Sequence, residues 1–281
     1  MTLSKSDFSY VSALVHKEAA IVLAPGKEYL VEARLIPVAR QVGAANVAAF
    51  LAEVQKRPNS DQLRQIVDAL TTNETSWFRD REPFSALTDV VLPELVKSRS
   101  SARKVRIWSA ASSSGQEAFS LAITLQESLP SGWSYEIVGS DISTEMVKRA
   151  EAAVYTQGEV NRGLPAAQLV QYFERDGTHW RIIPSLRRNV SFKLLNLTAA
   201  LPAMPPFDVI FLRNVLIYFD VASKKSVLRN VARLLRPDGW LFLGAAETTI
   251  GIDENYERVA AGRTSAYRVR SAMPSGAVWK G

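Results

Sequence analysis

A loop of small residues and the aspartate that follows it are the first part of this sequence to suggest chemistry. The loop spans residues 109–115, and Asp141 ends the next apolar run, 26 residues after Gly115. Small residues let a backbone turn tightly and approach a ligand, and an acid at about this distance can accept both ribose hydroxyls of a nucleoside. No phosphate-binding lysine motif accompanies the loop, so we expect a nucleoside without phosphates. The alternative is that Asp141 only assists the cap of a helix starting at Ser143.

Arg213 and Asn214 form a second candidate site, because they interrupt the apolar run FDVIFLRN where a strand would end. Buried polar side chains need partners, so a polar pair at the carboxyl end of a strand indicates a site. Parallel sheets bind ligands beyond these ends, at the point where the strand order reverses. A surface turn is the alternative at this position.

Short apolar runs alternate with helical patterns after residue 104 and predict a parallel sheet. The runs are VRIWSA (105–110), YEIVGSD (135–141), FDVIFLRN (207–214) and GWLFLGA (239–245), and the helical patterns cover 116–129, 143–153 and 220–236. Near-continuous apolar strands are typical of a sheet that helices cover on both faces, so we predict a doubly wound α/β domain. YERVA and SAYRVR flank a turn at 261–263 and predict a terminal antiparallel hairpin.

The first part of the chain is helical in pattern, with apolar residues spaced by three and four from residue 4 to about 90. Asn46 and Ser60 precede two of these patterns and are predicted N-caps. We therefore predict a small all-α N-terminal domain of four or five short helices at 1–88, followed by an α/β domain at 89–281.

A polar, less regular stretch inside the second domain contains HWRII and VSFKLL and predicts a small β insertion at about 172–194. The segment 271–281 contains Pro, Gly and Ser without any pattern, and we expect it to be a flexible tail.

Composition excludes several classes of protein. The chain has no cysteine, which rules out disulfides, thiolate zinc sites, iron–sulfur clusters and cysteine nucleophiles. His16 and His179 lie too far apart in sequence to suggest a metal pair, so we expect no metal, and a Ser-His-Asp hydrolase is disfavoured. No apolar run approaches the roughly 18 to 20 residues that span a bilayer, and the first ten residues lack the apolar stretch of a signal peptide. We expect a cytoplasmic protein without direct membrane insertion.

Four ordered motifs give the chain a specific resemblance. They are LTTNETSWFRD (70–80), RIWSAASSSGQEAFSLA (106–122), GSDIS (139–143) and FLRNVLIYF (211–219). Together with RPDGWLFLG they resemble a class I S-adenosylmethionine-dependent methyltransferase, and more closely the CheR family of chemotaxis receptor glutamate methyltransferases. The resemblance covers nearly the whole chain, including the helical N-terminal domain. It implies a Rossmann-like fold, S-adenosyl-L-methionine as cofactor and S-adenosyl-L-homocysteine as product.

The resemblance also implies which residues contact the cofactor. These are Asn73, Thr75 and Arg79 between the domains, Glu117 after the small-residue loop, Asp141 on the ribose, and Asn196, Leu197, Arg213 and Asn214 around the adenosine or the methionine tail. An Arg fork suits a carboxylate, and the Glu117 carboxylate could hold an ammonium group. For Arg79, the alternative is a surface salt bridge with Asp80 or Glu82. For Glu117, it is a first-turn carboxylate that only interacts favourably with the helix dipole.

The implied reaction is methyl transfer from the sulfonium to a glutamate carboxylate of a chemoreceptor. Glutamate has a pKa of about 4.3 and is ionised at neutral pH, so no general base is needed and positioning is the catalytic task. Arg79 and Tyr218 are the candidates for orienting the acceptor carboxylate. For Tyr218, core packing beside Phe219 is the alternative.

Partner predictions depend on charge and on the insertion. Residues 1–95 carry 10 Lys and Arg against 12 Asp and Glu, whereas the remaining 186 residues carry 24 against 16. Such a basic surplus can attract an acidic partner or serve solubility alone. Family members that tether a receptor's C-terminal peptide carry a longer glycine-bearing hairpin in the insertion. Here the stretch is short and has only Gly177, so we expect the cytoplasmic domain of chemoreceptors as partner, bound without a tethering peptide.

Two other functions stay open from the sequence. One is a methyltransferase with an RNA or small-molecule acceptor, which only the pI of about 9.5 supports. The other is a regulator that binds the cofactor or its product without turnover. We expect a monomer that binds no nucleic acid.

Overall fold

The computed structural model describes residues 3–270, so the predicted flexible tail at 271–281 lies outside the described residues. Its main feature is a seven-stranded sheet of order β6-β2-β1-β7-β8-β10-β9, and a second sheet has the order β3-β5-β4. The strands are β1 (Lys104–Ala110), β2 (Ser134–Asp141), β3 (Val154–Thr156), β4 (Phe173–Asp176), β5 (His179–Ile182), β6 (Val190–Leu194), β7 (Phe207–Leu212), β8 (Leu235–Leu243), β9 (Tyr256–Ala261) and β10 (Thr264–Val269).

The helices of the described chain cover the N-terminal region and both faces of the main sheet. They are α1 (Lys5–Ala19), α2 (Glu28–Gln41), α3 (Val47–Lys56), α4 (Ser60–Leu70), α5 (Glu82–Ala86), α6 (Leu92–Ser98), α7 (Gln116–Ser128), α8 (Thr144–Ala152), α9 (Gln157–Val160), α10 (Ala166–Tyr172), α11 (Pro184–Arg187) and α12 (Val221–Ala232). A π-helical turn at Leu87–Val91 joins α5 to α6, and a 3₁₀ turn spans Leu216–Tyr218.

The doubly wound α/β prediction is confirmed by the strand pairing. β1 pairs in parallel with β2 on one side and with β7 on the other, so the strand order reverses between β1 and β7. All six residues of β7 are buried, as expected for a strand covered on both faces. The predicted hairpin is β9 and β10, which close the sheet as an antiparallel pair. Any ligand should lie at the switch between β1 and β7.

Helices α1 to α4 enclose a separate apolar core that includes Val15, Leu35 and Phe50. The predicted N-cap Asn46 accepts a hydrogen bond from the amide of Ala49 at 2.8 Å. The prediction of Ser60 as N-cap is wrong, because Asn59 has the extended backbone of a cap and accepts from the amide of Asp61. Either side chain has the chemistry of a cap, and the backbone conformation decides between them.

Two element boundaries, the end of α12 and the start of β8, differ from their predictions, and the structure also shows what surrounds the predicted domain boundary. Residues 82–98 form one continuous helical segment whose apolar side chains, including Phe84 and Leu95, pack into the core under β1, and the domain boundary predicted after residue 88 falls inside this segment. Helix α12 ends at Ala232 instead of 236, and β8 begins at Leu235 instead of 239. Leu235 pairs with Phe207 before a register shift, so the segment read as a turn belongs to the strand.

The second sheet covers a different stretch from the insertion predicted at about 172–194, because it begins with β3 at residue 154 and ends with β5 at residue 182. HWRI forms β5 between β3 and β4 in the second sheet. VSFKL, which was expected to belong with it, instead forms β6 and pairs in parallel with β2. Phe192 of β6 lies against Gly139 of β2, where an added Cβ would come within 2.4 Å of the ring, so the glycine makes room for this strand.

Within residues 3–270, no helix combines the length and the apolar character needed to cross a membrane.

Candidate functional site

One pocket lies at the carboxyl ends of β1, β2 and β7, at the switch in strand order. The structure brings every predicted site residue to the walls of this pocket. They are Asn73, Thr75, Arg79, Glu117, Asp141, Asn196, Leu197, Arg213, Asn214 and Tyr218. Residues more than 140 positions apart in sequence therefore share one cavity because parallel strands end at the same edge of the sheet.

Asp141 ends β2 and is 7% exposed. Its Oδ2 accepts the amide N–H of Ser113 at 2.8 Å, and its Oδ1 accepts that of Ser143 at 3.0 Å. Burial raises the pKa of Asp141, and the two amide hydrogen bonds partly oppose that shift. Asp141 therefore assists the N-terminal cap of α8, which is the alternative role considered for it from the sequence. Each carboxylate oxygen keeps a second lone pair, so capping leaves acceptors for two hydroxyl donors from the pocket.

The small-residue loop is tightly turned and crowded. Ala111, Ser113 and Gly115 all have positive φ, and a Cβ at Gly115 would lie 3.1 Å from both Ala150 Cβ and the Tyr155 hydroxyl. The Ser113 hydroxyl donates to the carbonyl of Asn73 at 2.8 Å. This contact fixes the segment between the domains against the loop and so brings Asn73 and its neighbours to the pocket.

Arg213 is the most connected charge of the site and is 4% exposed. Its guanidinium donates to Glu117 Oε2 at 2.9 Å, to Asp80 Oδ2 at 2.5 Å and to the carbonyl of Arg79 at 3.0 Å. Glu117 Oε1 also accepts the hydroxyl of Ser109 at 2.8 Å. The alternative of a surface turn at Arg213 is therefore wrong. The guanidinium of Arg213 thus meets two carboxylates, of which Glu117 lines the pocket and Asp80 does not, so Glu117 is the member of this cluster that could meet a cationic ligand.

Arg79 lines the pocket and makes few side-chain contacts within the described residues. Its Nη1 donates to the carbonyl of Glu74 at 3.2 Å, and it has no salt bridge within the described chain. The alternative pairing with Asp80 or Glu82 is not formed, because Asp80 turns to Arg213 instead. The neighbouring residues Phe78 and Asp80 have positive φ, which is strained backbone of the kind that gathers at functional sites.

Asn196 lines the pocket, but its side chain serves protein contacts. Its Nδ2 donates to the carbonyl of Glu18 at 2.7 Å, and its Oδ1 accepts from the amide and the hydroxyl of Thr198 at 3.0 and 2.8 Å. Leu197 beside it is buried and adds an apolar surface. Asn196 thus joins the pocket to the end of α1.

No pattern in the sequence indicates the part of the pocket that comes from the N-terminal region. Ala19 and Ile21 line the cavity. Ile21 forms a β-bridge with Phe219, and the amide of Val22 donates to the carbonyl of Tyr218 at 2.9 Å. These contacts join residues about 200 positions apart, which no local pattern can reveal.

His16 reinforces this contact by pairing with Asp220 at 2.8 Å. The pKa of Asp220 falls to about 2 because it accepts the amide of Ser223 and faces His16. Both residues are partly exposed, so the pair orients α1 more than it stabilises the fold.

Comparison with known proteins gives two family matches. Residues 73–264 match the CheR methyltransferase SAM binding domain, and residues 6–71 match the CheR methyltransferase all-alpha domain. The chain is 37% identical to chemotaxis protein methyltransferase 1 of Pseudomonas aeruginosa, over 96% of this chain and 100% of that protein. It is 36% identical to chemotaxis protein methyltransferase Cher2 of Pseudomonas putida, over 92% of this chain and 96% of that protein.

Among solved structures, a magnesium protoporphyrin IX methyltransferase from Synechocystis with bound SAM is 16% identical, over 79% of this chain and 97% of that one. The TM-score is 0.37.

Proposed function

Since this chain belongs to the CheR methyltransferase family, we propose that it transfers a methyl group from S-adenosyl-L-methionine to glutamate side chains of chemoreceptors, forming methyl esters. The observation that carries the proposal is the buried carboxylate of Asp141, which faces a cavity at the strand switch point. Relatives named chemotaxis protein methyltransferase support a chemoreceptor as substrate.

The residues present fit S-adenosyl-L-methionine. Asp141 is a buried acceptor suited to a ribose, and the small-residue loop allows close approach of the backbone. Glu117 lines the pocket and offers a carboxylate that suits the ammonium group of the cofactor. Arg79 offers a guanidinium that suits the cofactor's carboxylate or an acceptor carboxylate.

The bound cofactor supplies an electrophilic methyl group on a sulfonium, and the protein has to position the acceptor. In the transfer the carbon–sulfur bond breaks as a carbon–oxygen bond forms, and no proton moves because a glutamate carboxylate is already ionised. Cation and anion neutralise each other in the transition state, so a cavity that excludes water favours the reaction. The protein therefore needs neither a general base nor a metal for this step.

Arg79 and Tyr218 are the residues that we propose orient the acceptor. Tyr218 lies at the pocket in the 3₁₀ turn, half-buried against the apolar core beside β7. Its hydroxyl can donate to one oxygen of an incoming carboxylate. An Arg79 pairing that is too strong would reduce the nucleophilicity of the carboxylate, so Arg79 acts as an orienter.

We also propose that a receptor is recognised without a tethering peptide. The hairpin of β4 and β5 is joined only by Gly177 and Thr178, which leaves little length beyond the paired strands. A receptor fragment that lacks its C-terminal peptide should therefore be methylated as fast as one that carries it. A rate at least tenfold higher with the peptide would contradict this part.

The acceptor is tested by incubating the protein with methyl-labelled S-adenosyl-L-methionine and a panel of receptor cytoplasmic fragments. We expect label in the fragments that mild base releases as methanol, because carboxyl methyl esters hydrolyse readily. Fragments in which the labelled glutamates are changed to alanine are the matched control and should lose the label. Base-stable label, or label in added RNA instead, would contradict the glutamate ester.

A further inference from the structure

We propose that Glu247 is a positioning residue that holds the loop after β7 in its active shape. This inference rests on the proposed function, because the loop carries Arg213, Asn214 and Tyr218. Glu247 does not line the pocket, and it follows β8 at a turn in which its own amide donates to the carbonyl of Gly244 at 2.9 Å.

The Glu247 carboxylate accepts four backbone amides from two strand ends. Its Oε2 accepts from Gly244 at 2.7 Å and from Asn214 at 2.8 Å, and its Oε1 accepts from Val215 at 2.9 Å and from Ile217 at 3.3 Å. Hydrogen bonds from amides to a carboxylate are among the strong ones in proteins. A single side chain therefore clamps the loop after β7 to the end of β8.

The clamped backbone is one that would not form by itself. Asn214 has φ of 57°, in the left-handed region, and its amide and that of Val215 point to the same carboxylate. Successive amides in this arrangement form an anion-binding concavity. Glu247 fills it from within the protein, which offsets the cost of the left-handed residue and keeps these amides from binding the acceptor carboxylate.

Gly244 shows how close the two strand ends are. A Cβ there would lie 2.7 Å from Glu247 Oε2, 2.8 Å from Asn214 Nδ2 and 2.9 Å from the Asn214 amide nitrogen. The φ of Gly244 is not in the left-handed region, so an alanine would disturb only this contact. Glu247 and Gly244 thus give two independent ways to perturb the same loop.

The test compares Glu247→Gln, Glu247→Ala and Gly244→Ala with the wild-type chain. Gln keeps one oxygen but turns an amide donor toward two of the four amides, so it breaks about half of the clamp. Glu254→Gln and Gly158→Ala are matched controls, since Glu254 is exposed and the nearest atom to a Cβ at Gly158 is 3.9 Å away. The readouts are kcat, the Kd of S-adenosylhomocysteine, Tm, and hydrogen exchange of residues 213–218.

We expect kcat to fall about 30-fold in Glu247→Gln and Gly244→Ala, and further in Glu247→Ala, since a displacement of about 1 Å can cost a hundredfold in rate. Exchange at 213–218 should become at least tenfold faster, and the Kd of S-adenosylhomocysteine should rise by a smaller factor than the fall in kcat, while Tm stays within a few degrees of wild type. The control variants should match wild type.

Two results would overturn the positioning role. One is a wild-type kcat in a variant whose loop exchanges faster. The other is a loss of kcat that only follows a loss of Tm, which a merely structural residue would give. If the wild-type chain methylates no receptor fragment, the proposed acceptor fails, and unchanged exchange at 213–218 in Glu247→Gln then decides against the clamp by itself.

Discussion

The two ends of the main sheet both carry buried charges, but only one end leaves them open to a ligand. At the amino end, Asp208 is 1% exposed, accepts hydrogen bonds from Arg99 at 2.7 Å and from the amide of Arg106 at 2.8 Å, and forms an ion pair with Arg236 at 3.1 Å. Arg99 also holds Asp238 through two hydrogen bonds. Each charge there meets protein partners on several sides.

The carboxyl end is built differently. Asp141 accepts hydrogen bonds from two amides, has no cationic partner in the part of the chain that the structure describes, and lines the cavity. Arg79 has no salt bridge within residues 3–270. The charges at this end are thus only partly satisfied by the protein, which is the condition for binding a polar ligand.

The pKa values of the carboxyl groups also differ between the two ends of the sheet. At the amino end, Arg106 and Lys104 lower the pKa of Glu136 to about 2. At the carboxyl end, burial raises the pKa of Asp141, and it raises that of Asp68 on α4 to about 6. A carboxylate that is buried without a cation, as Asp141 is within residues 3–270, costs stability, and such groups are found preferentially at binding sites.

Replacing Asp141 should have the largest effect. In Asp141→Ala, we expect the affinity for S-adenosylhomocysteine to fall about 100-fold, since two hydrogen bonds to a charged group contribute about 3 kcal/mol together. Calorimetric titration measures this change. The matched variant Asp238→Ala at the amino end should bind within twofold of wild type, and equal losses in the two variants would erase the distinction between the ends.

Replacing Asp208 should give the opposite pattern. In Asp208→Asn, we expect the free energy of unfolding to fall by about 2 to 3 kcal/mol, because the mostly buried guanidinium of Arg99 loses the charge of one of its two carboxylate partners. The affinity for S-adenosylhomocysteine should stay within twofold of wild type. Urea denaturation and calorimetric titration check both parts. Asp238→Asn is the control: the Asp238 side chain is 46% exposed, so its replacement should lower the free energy of unfolding by less than about 1 kcal/mol. A loss of affinity without a loss of stability would contradict the structural role of this end.

Replacing Arg79 tests whether its free guanidinium serves the ligand. In Arg79→Lys, we expect kcat/KM to fall about tenfold, since a lysine keeps the charge and loses the planar fork. Tm should not change, because Arg79 makes one long hydrogen bond to the protein. Steady-state kinetics with a receptor fragment measures the effect. The neighbouring exposed Arg81→Lys should behave as wild type, and a fall in Tm without a fall in kcat/KM would assign Arg79 to the fold.

Asp68 should give the smallest effect, and one that depends on pH. Its raised pKa means that the folded state holds the proton more tightly than the unfolded state, so its contribution is favourable below about pH 4 and is lost as pH rises through about 6. Asp68→Asn should therefore raise the free energy of unfolding at pH 8 by about 1 kcal/mol, a value discounted because the group is half-exposed. At pH 4.5 the two proteins should be nearly equal. Denaturation at both pH values checks this, and a gain at pH 4.5 that equals the gain at pH 8 would contradict it.

Most of the fold and of the site could be predicted from patterns within single helices and strands. The strand-end positions of Asp141 and Arg213 placed them at one edge of a parallel sheet, which is where the structure has them. The resemblance supplied residues such as Asn73, whose position depends on a loop contact to Ser113. Their roles toward the cofactor and the acceptor stay predictions.

Features set by distant contacts could not be predicted. Ile21 reaches the pocket through a bridge to Phe219, and Glu247 reaches the loop after β7 across the end of β8. β6 pairs with β2 in the main sheet, where Phe192 lies against Gly139. None of these contacts leaves a trace in local periodicity, since each depends on how separate elements pack.

The most direct test of the account is a crystal structure of the protein with S-adenosylhomocysteine. We predict the ribose hydroxyls within hydrogen-bond distance of the Asp141 carboxylate, the ligand ammonium near Glu117 and the sulfur facing the side of the pocket that holds Tyr218. A cavity filled by protein side chains, or a ligand bound at another place with Asp141 unoccupied, would contradict the central claim.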